Sequence, residues 1–235
     1  MARTALITGA GRNIGRAVAL GLARDGMNVV INGSSDREAA ERVAQEARAH
    51  GVRALVAMGD VGREAECERI AREALAKFGR VDVLVNNAAL RPAKPFLDCT
   101  AEDWRRVMAV DLEAAIWLSR ALLPGMVAGG FGRIVNFTGM NAIHGYAGRA
   151  PVSVAKHGLW GLTKALAKEF APKGITVNAI SPGPIAADDD EPGKTTHRPG
   201  YVAKVPAGRM GTPNEIAAVV RMLASDGGAP TGPVR

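Results

Sequence analysis

The amino-acid sequence predicts one α/β domain built on a doubly wound, parallel sheet. Short apolar runs alternate with longer amphipathic stretches along the 235 residues, and a glycine-rich turn directly follows the first apolar run. Strict alternation of strand and helix favours right-handed crossovers and a sheet that helices cover on both faces. The predicted strands are residues 5–8, 28–31, 54–57, 81–85, 133–137 and 176–180.

Helical periodicity fills the intervals between these runs. It covers residues 39–47 and 67–78, two longer stretches at residues 101–128 and 152–170, and a last one at Pro213–Ala224. The remaining long segment, residues 184–211, is expected to form a lid over a ligand cleft, with a disordered linker as the alternative. Beyond the last helix, Pro230 and Pro233 disfavour a sheet interior, so a final edge strand is expected to be missing.

The charge and cysteine content restrict the classes of function. Lys and Arg number 30 against 23 Asp and Glu, a formal net charge of +7, but the basic residues are spread along the chain rather than clustered. We therefore expect no nucleic-acid partner and a basic surface suited to a phosphate-rich cofactor. Two cysteines without metal-ligand spacing predict a reducing compartment, the cytoplasm, and no metal site. No leader peptide and no membrane span are expected.

The turn after the first strand predicts a dinucleotide site. Glycines allow the backbone to approach a pyrophosphate, whose charge then lies at the positive end of the following helix. Asn13 also lies in this turn, and asparagine tolerates a left-handed backbone better than most residues. A purely structural turn is the alternative. The candidate binding residues are Gly9, Gly11, Arg12, Asn13, Ile14 and Gly15.

The order of these and later motifs resembles the short-chain dehydrogenase/reductase family, whose fold is of the Rossmann type. The turn resembles the family's TGxxxGxG pattern, with Asn13 in place of the middle glycine. The segment Gly208–Pro213 resembles the one with which family members begin their last helix. The resemblance implies that Asp60 and Val61 lie at the adenine and that Pro182, Gly183 and Ile185 lie at the nicotinamide. It also identifies Asn87 and Ala88 with the family's NNAG segment.

The end of the second strand predicts NADP(H) rather than NAD(H). A carboxylate at position 33 would bind the ribose 2′-hydroxyl and repel a phosphate, and this position is Gly33. Arg12 and Arg37 supply cations near the same ribose, and Ser34 and Ser35 supply hydroxyls, so a 2′-phosphate is favoured. The alternative is that both arginines are ordinary surface charges.

The catalytic positions depart from the family. The family uses a serine, a tyrosine and a lysine together with an asparagine, and its tyrosine gives a proton to the alkoxide. By resemblance, Lys156 is present, whereas the tyrosine is Val152, the serine is Gly139 and the asparagine is Asp111. Lys156 is expected to keep its contact with the cofactor ribose.

Other polar side chains offer a substitute for the missing phenol. Tyr146 and His144 lie in the loop before the long helix, and Thr138 adjoins the vacant serine position. Packing or substrate contact is the alternative for Tyr146 and His144, and capping or buttressing a helix is the alternative for Asp111.

We therefore expect an NADP(H)-dependent oxidoreductase that acts on a carbonyl or alcohol substrate through a non-standard proton donor. Two alternatives stay open: a cofactor-binding pseudoenzyme that serves as sensor or partner subunit, and a non-redox enzyme that catalyses an elimination or cyclisation. The resemblance also implies a homodimer or homotetramer that pairs through residues 101–128 and 152–170.

Overall fold

In a computed structural model, which describes residues 2–187, 202 and 205–228, strands and helices alternate along the chain. The strands are β1 (Thr4–Ile7), β2 (Asn28–Gly33), β3 (Ala54–Met58), β4 (Val83–Asn86), β5 (Gly132–Phe137) and β6 (Ile175–Ile180). The helices are α1 (Asn13–Arg24), α2 (Arg37–Arg48), α3 (Glu64–Phe78), α4 (Ala101–Met108), α5 (Ala114–Ala128), α6 (Ala150–Phe170) and α7 (Pro213–Ala224).

All neighbouring strands of the sheet are parallel, in the order β3-β2-β1-β4-β5-β6. The chain builds one half outward from β1 to β3, then crosses to the other side of β1 and continues from β4 to β6. This confirms the predicted doubly wound fold. In such a sheet, ligands bind at the carboxyl ends of the strands where the order reverses, here between β1 and β4.

Apolar side chains fill a layer on each face of the sheet. One layer joins β1 and β2 to α1, α2 and α7, and includes Ile7, Leu22 and Val220. The other joins the sheet to α3 and α5, and includes Leu84 and Leu118. Burial on both faces explains why the strands are nearly continuous apolar runs rather than alternating ones.

The predicted helix over residues 101–128 is divided in the structure. A π-helical turn, Ala109–Glu113, separates α4 from α5. Such a turn adds one residue to the helix and commonly occurs at functional sites. The prediction of a continuous α-helix was wrong at this point, because the interruption carries no glycine or proline to mark it.

Two further predictions concern the carboxyl end of the chain, and the structure describes part of the segment for only one of them. In the segment expected to be a lid, residues 184–187, 202 and 205–211 are described, and a single parallel bridge joins Ile185 to Gly211. The rest of that segment, like residues 229–235 where the final strand was expected to be missing, lies outside the described residues. Within the described ranges, no helix is both long enough and apolar enough to cross a bilayer.

Candidate functional site

The candidate site lies at the carboxyl ends of β1, β4, β5 and β6. Each of these strands is followed at once by a polar or glycine-rich segment, beginning at Thr8, Asn87, Thr138 and Ser181 respectively. Since β1 and β4 are adjacent, the reversal of strand order falls between the first two of these segments.

The glycine-rich loop has the backbone that its sequence predicts. Gly9 and Asn13 both have positive φ, at 62° and 50°. A Cβ on Gly15 would lie 2.2 Å from the carbonyl oxygen of Gly9, so only glycine allows the loop to close on the first turn of α1. Gly11 is less restricted, because a Cβ there would meet Ala39 at an ordinary 3.5 Å.

Hydrogen bonds fix this loop to the segment after β4. The Asn87 side chain donates to the carbonyl oxygens of Thr8 and Gly9, at 2.9 and 3.1 Å. The Thr8 hydroxyl accepts from the backbone N–H groups of Asn87 and Ala88, both at 3.0 Å. The loop is therefore held in its shape by the protein alone, before any ligand binds.

The amino end of α1 fits a phosphate group. Its N-cap residue, Arg12, makes no side-chain capping bond, and the first turn contains no acidic residue. In contrast, Asp36, Thr100 and Thr212 cap α2, α4 and α7 with their side chains. Uncapped N–H groups at a positively polarised helix end suit the pyrophosphate of a dinucleotide. The residues present thus fit a nicotinamide dinucleotide.

At the end of β2, the residues expected at the ribose are accessible. Ser34, Ser35 and Arg37 are exposed, and Arg37 lies 3.7 Å from Glu41 in a loose ion pair. Arg12 is also exposed, and it makes no ion pair within the described part of the chain. One residue escaped the sequence reasoning: the Asp36 carboxylate lies in this segment and accepts the Ala39 N–H at 2.9 Å.

The expected adenine end has a carboxylate that is already engaged. Asp60 accepts the Gly62 N–H at 3.0 Å and forms an ion pair with Arg106, on α4, at 2.9 Å. Val61 is buried, and its carbonyl accepts the thiol of Cys67. The Arg106 contact joins α4 to the loop after β3, which positions this side of the crevice.

Lys156, on α6, and Asp111, in the π turn, form a buried ion pair. Lys156 Nζ lies 3.2 Å from Asp111 Oδ2, with side-chain exposures of 4% and 0%. The other oxygen, Oδ1, accepts the backbone N–H of Leu90 at 2.7 Å. Asp111 therefore connects α6 to the segment after β4 and does not cap a helix.

Burial shifts the titration of both members of this pair toward the uncharged forms. It raises the pKa of Asp111 above its ordinary value, against the opposing charge of Lys156. It lowers the pKa of Lys156, against the opposing charge of Asp111. Arg91 adds to the second effect and also moderates the first, since its positive charge lowers both pKa values.

Among the described residues, the other candidate proton donors form no hydrogen bond or ion pair with Lys156 or Asp111. The Thr138 hydroxyl is buried and donates to the carbonyl of Ile180 at 3.3 Å. His144 and Tyr146 are exposed, and their side chains have no hydrogen-bond partner among the described residues. The structure thus joins only Lys156 and Asp111 among the five catalytic candidates.

Four buried oxygens around the site are left without a hydrogen bond to any described residue. They belong to the π turn, the loop after β5, the first turn of α6 and the segment after β6. Buried polar atoms are normally paired, so such a group near a crevice is consistent with an external partner. The atoms are Asp111 Oδ2, Asn141 Oδ1, Ser153 Oγ and Ser181 Oγ. Asp111 Oδ2 already lies in the ion pair with Lys156, so an external partner is inferred only for the other three.

Comparison with known proteins identifies the family. Residues 9–232 match the family model described as enoyl-(acyl carrier protein) reductase. The chain is 39% identical to a 3-oxoacyl-[acyl-carrier-protein] reductase of Synechocystis over 96% of its own length and 90% of that protein. It belongs to the short-chain dehydrogenase/reductase family.

Two solved structures of this family are similar over most of their length. An acetoin dehydrogenase from Salmonella typhimurium superposes with a TM-score of 0.89 at 34% identity, covering 97% of this chain and 90% of that one. A putative gluconate dehydrogenase from Agrobacterium tumefaciens gives 0.86 at 36% identity, with coverages of 94% and 88%. The relatives of this chain are therefore oxidoreductases.

Relative to the short-chain dehydrogenase/reductase pattern, the vacant serine position has an unusual backbone. Gly139 has φ 68° and ψ 176°, a conformation that essentially only glycine adopts. A Cβ there would meet no atom within 4 Å, so space is not the restriction. Position 139 therefore carries no hydroxyl, and its backbone conformation is unfavourable for a serine.

The tyrosine position is also built differently. Val152 is fully buried and packs with Val107 and Ala155, against Met108 and Leu112. Its side chain is thus part of the contact between α6 and the α4 region. The sequence could identify the missing phenol, but not that its replacement is a core residue.

Proposed function

We propose that this protein is an NADP(H)-dependent oxidoreductase of carbonyl or alcohol substrates in which Lys156, paired with Asp111, replaces the family's tyrosine as proton donor. The observation that carries the proposal is the buried contact between Lys156 Nζ and Asp111 Oδ2 at 3.2 Å. The pair joins α6 to the π turn, and Asp111 also binds the segment after β4 through the Leu90 N–H. Family membership supplies the reaction class.

The chemistry requires an acid beside the substrate oxygen. When bound, NADP(H) supplies the hydride for reduction or accepts it for oxidation. In reduction, the Lys156 ammonium gives a proton to the oxygen of the carbonyl group and becomes an amine, which takes a proton back from solvent. Asp111 stabilises the ammonium within a medium of low polarity and holds it in place through its second bond to Leu90. A lysine whose pKa burial has lowered is a better acid than an exposed one.

The choice of NADP(H) rests on the ribose end of the site. Gly33 contributes no carboxylate, and exposed Arg12 is available for a charged hydrogen bond to a 2′-phosphate. Arg37, Ser34 and Ser35 add donors on the same side. The capping bond of Asp36 to Ala39 engages one of its oxygens in α2.

The proposed location, assembly and substrate rest on the cysteines and on exposed apolar side chains. Both cysteines are free thiols, which suits the cytoplasm. Exposed Val154 and Trp160 on α6 suit a contact between copies in a homodimer or homotetramer. A small molecule is the expected substrate.

The test measures NADPH and NADH oxidation with a panel of aldehydes and ketones. Lys156→Arg keeps the charge but removes the acid, since a guanidinium does not release its proton in proteins. We expect the rate to fall by about 10²–10⁴ with NADPH binding retained. Lys168→Ala, which removes an exposed lysine of the same helix, is the control and should leave the rate unchanged.

The variant Asp111→Asn distinguishes a role of Asp111 in proton transfer from a purely structural role. The charge of Asp111 raises the pKa of Lys156, so its removal lowers that pKa and the ammonium is lost at lower pH. The alkaline limb of the kcat profile should move to lower pH, which a merely structural role would not cause. Absence of turnover with every substrate, or an unmoved limb in an active Asp111→Asn enzyme, contradicts the proposal.

A cofactor-binding protein without redox activity is the second candidate, and the backbone of Gly139 favours it, because that conformation is unfavourable for a serine. It predicts that NADPH binds, as its fluorescence would report, while no substrate is turned over. A non-redox elimination or cyclisation through Asp111 and Lys156 would instead give a product without change in NADPH absorbance.

A further inference from the structure

Residues 90–94, in the loop between β4 and α4, form a wall beside the Lys156–Asp111 pair. At one end, the Leu90 N–H donates to Asp111 at 2.7 Å. Further along, the Lys94 N–H donates to the carbonyl of Gly148 at 2.8 Å, in the loop that precedes α6. The wall is therefore attached at both ends, to the π turn and to the loop on the other side of the site.

Arg91 is a cation of this wall to which the described residues supply no partner. It is exposed and has neither an ion pair nor a hydrogen bond within residues 2–187, 202 and 205–228. Two cations of this part of the molecule are neutralised: Lys94 lies 2.5 Å from Asp103, and Arg106 lies 2.9 Å from Asp60. An arginine that stays unpaired in a region containing carboxylates is available for another anion.

Two observations indicate that Arg91 lies near the Lys156–Asp111 pair. It follows Leu90, whose N–H contacts Asp111 directly. Its charge also acts on both members of the buried pair, lowering the pKa of Lys156 as well as that of Asp111. Together with Lys156 and Asp111, it gives this cluster a net charge of +1 when all three are ionised.

The facing helix start adds no negative charge. The first turn of α6 has no acidic residue, and its N-cap, Arg149, makes no side-chain capping bond. In the same turn, the buried Ser153 hydroxyl has no hydrogen-bond partner among the described residues. The site is thus bordered by cationic and polar groups. The Asp111 carboxylate already accepts a hydrogen bond from Leu90 and forms an ion pair with Lys156.

We propose that Arg91 is a specificity residue that binds a carboxylate or phosphate group of the substrate, so that the protein acts on keto or hydroxy acids or their phosphorylated analogues. The reaction class in this statement rests on the proposed function, whereas the anion site itself does not. A guanidinium presents paired N–H donors that match the oxygens of either group, which orients the substrate as well as attracting it.

The experiment is calorimetric binding of three ketones that share one skeleton, to protein saturated with NADP+ and to protein without it. The probes are acetoacetate, 2-oxopropylphosphonate and methyl acetoacetate, which carry a carboxylate, a phosphonate and a neutral ester. We expect at least one anion to bind more tightly than the ester and to weaken by about 10–100-fold in Arg91→Ala, the loss expected for hydrogen bonds to a charged group. Which anion binds more tightly distinguishes carboxylate from phosphate substrates.

Arg105→Ala is the matched control. Arg105 is an exposed arginine on α4, 3.9 Å from Glu102, and its removal should leave binding of all three probes unchanged. The inference is overturned if neither anion binds the wild-type protein, if the ester binds equally well, or if Arg91→Ala binds the anions as tightly as wild type does. Anion binding that depends on Arg91 in a protein without turnover would instead sustain this site and reject the oxidoreductase proposal.

Discussion

Asp111 and Lys156 face one another across two helical segments, 3.2 Å apart, in a part of the molecule that solvent hardly reaches. A buried pair of this kind contributes little net stability compared with apolar residues, but the loss of one partner leaves an uncompensated charge. The same contact can therefore be examined by stability measurements that do not require a substrate.

We expect Asp111→Ala and Lys156→Met each to lower the free energy of unfolding by about 3–5 kcal/mol. The double variant should lose less than the sum of the two, since neither charge is then left unpaired. Urea unfolding of the four proteins measures the coupling. Additive losses would show that the two side chains do not interact in solution.

The backbone at Gly139 allows a second comparison. Gly139→Ala should destabilise the fold by about 1–3 kcal/mol, although no atom lies within 4 Å of the added Cβ, because its φ of 68° is unfavourable for alanine. Gly161, within α6, also has open space around its Cβ but no positive φ. Gly161→Ala should therefore stabilise the protein, by about 1 kcal/mol. Equal effects in thermal unfolding would refute the assigned conformation of Gly139.

Cofactor selectivity should depend more on Arg12 than on Arg37. Arg12→Ala is expected to weaken NADPH binding by about 10–100-fold and NADH binding much less, since only NADPH carries the 2′-phosphate. Arg37 already lies near Glu41, so Arg37→Ala should have a smaller effect. Fluorescence titration with both nucleotides checks this, and an equal loss for NADH would indicate general damage to the loop.

The stability of the protein in acid should depend on Glu215, in the first turn of α7. Hydrogen bonds from Arg209 and Thr212 lower the pKa of Glu215 from 4.5 to about 2. Because the folded-state pKa is the lower one, the stabilisation is present above pH 4.5 and is lost as the pH falls toward 2. Glu215→Gln should thus have a lower melting temperature than wild type at pH 7, with a difference that shrinks through this range.

The exposed Glu169→Gln serves as the control for that experiment. A difference between wild type and Glu215→Gln that stays constant from pH 7 to pH 2 would argue against the ion pair with Arg209.

The sequence predicted the sheet and most helices because their signals are local. The apolar run that became β2 and the Thr-Pro start of α7 need no knowledge of the rest of the chain. The limits of β1 and β4 shifted by one or two residues, to Thr4–Ile7 and Val83–Asn86, since hydrogen bonds to neighbouring strands set them.

The candidate site was less accessible to sequence reasoning because its contacts join distant segments. The glycine loop could be read from its spacing, whereas the Leu90 N–H that fixes Asp111 is a backbone group without any side-chain signal. Arg91 was likewise missed, since a lone arginine in a loop resembles any surface charge until its neighbours are known. The burial of Val152 depends on the packing of α6 against α4 and has no local signature.

The π turn at Ala109–Glu113 gives this helix a particular sensitivity to changes in length. Each residue of a helix rotates the chain by about 100° around the axis, so one deletion within the turn would restore regular α-helix and rotate Asp111 away from Lys156. Substitutions at Asp111 change the chemistry of the site, but a single-codon deletion upstream of it within the turn would relocate the carboxylate while leaving Asp111 itself unchanged. In evolution, a helix of this kind can lose its site in one step and regain it only by an insertion.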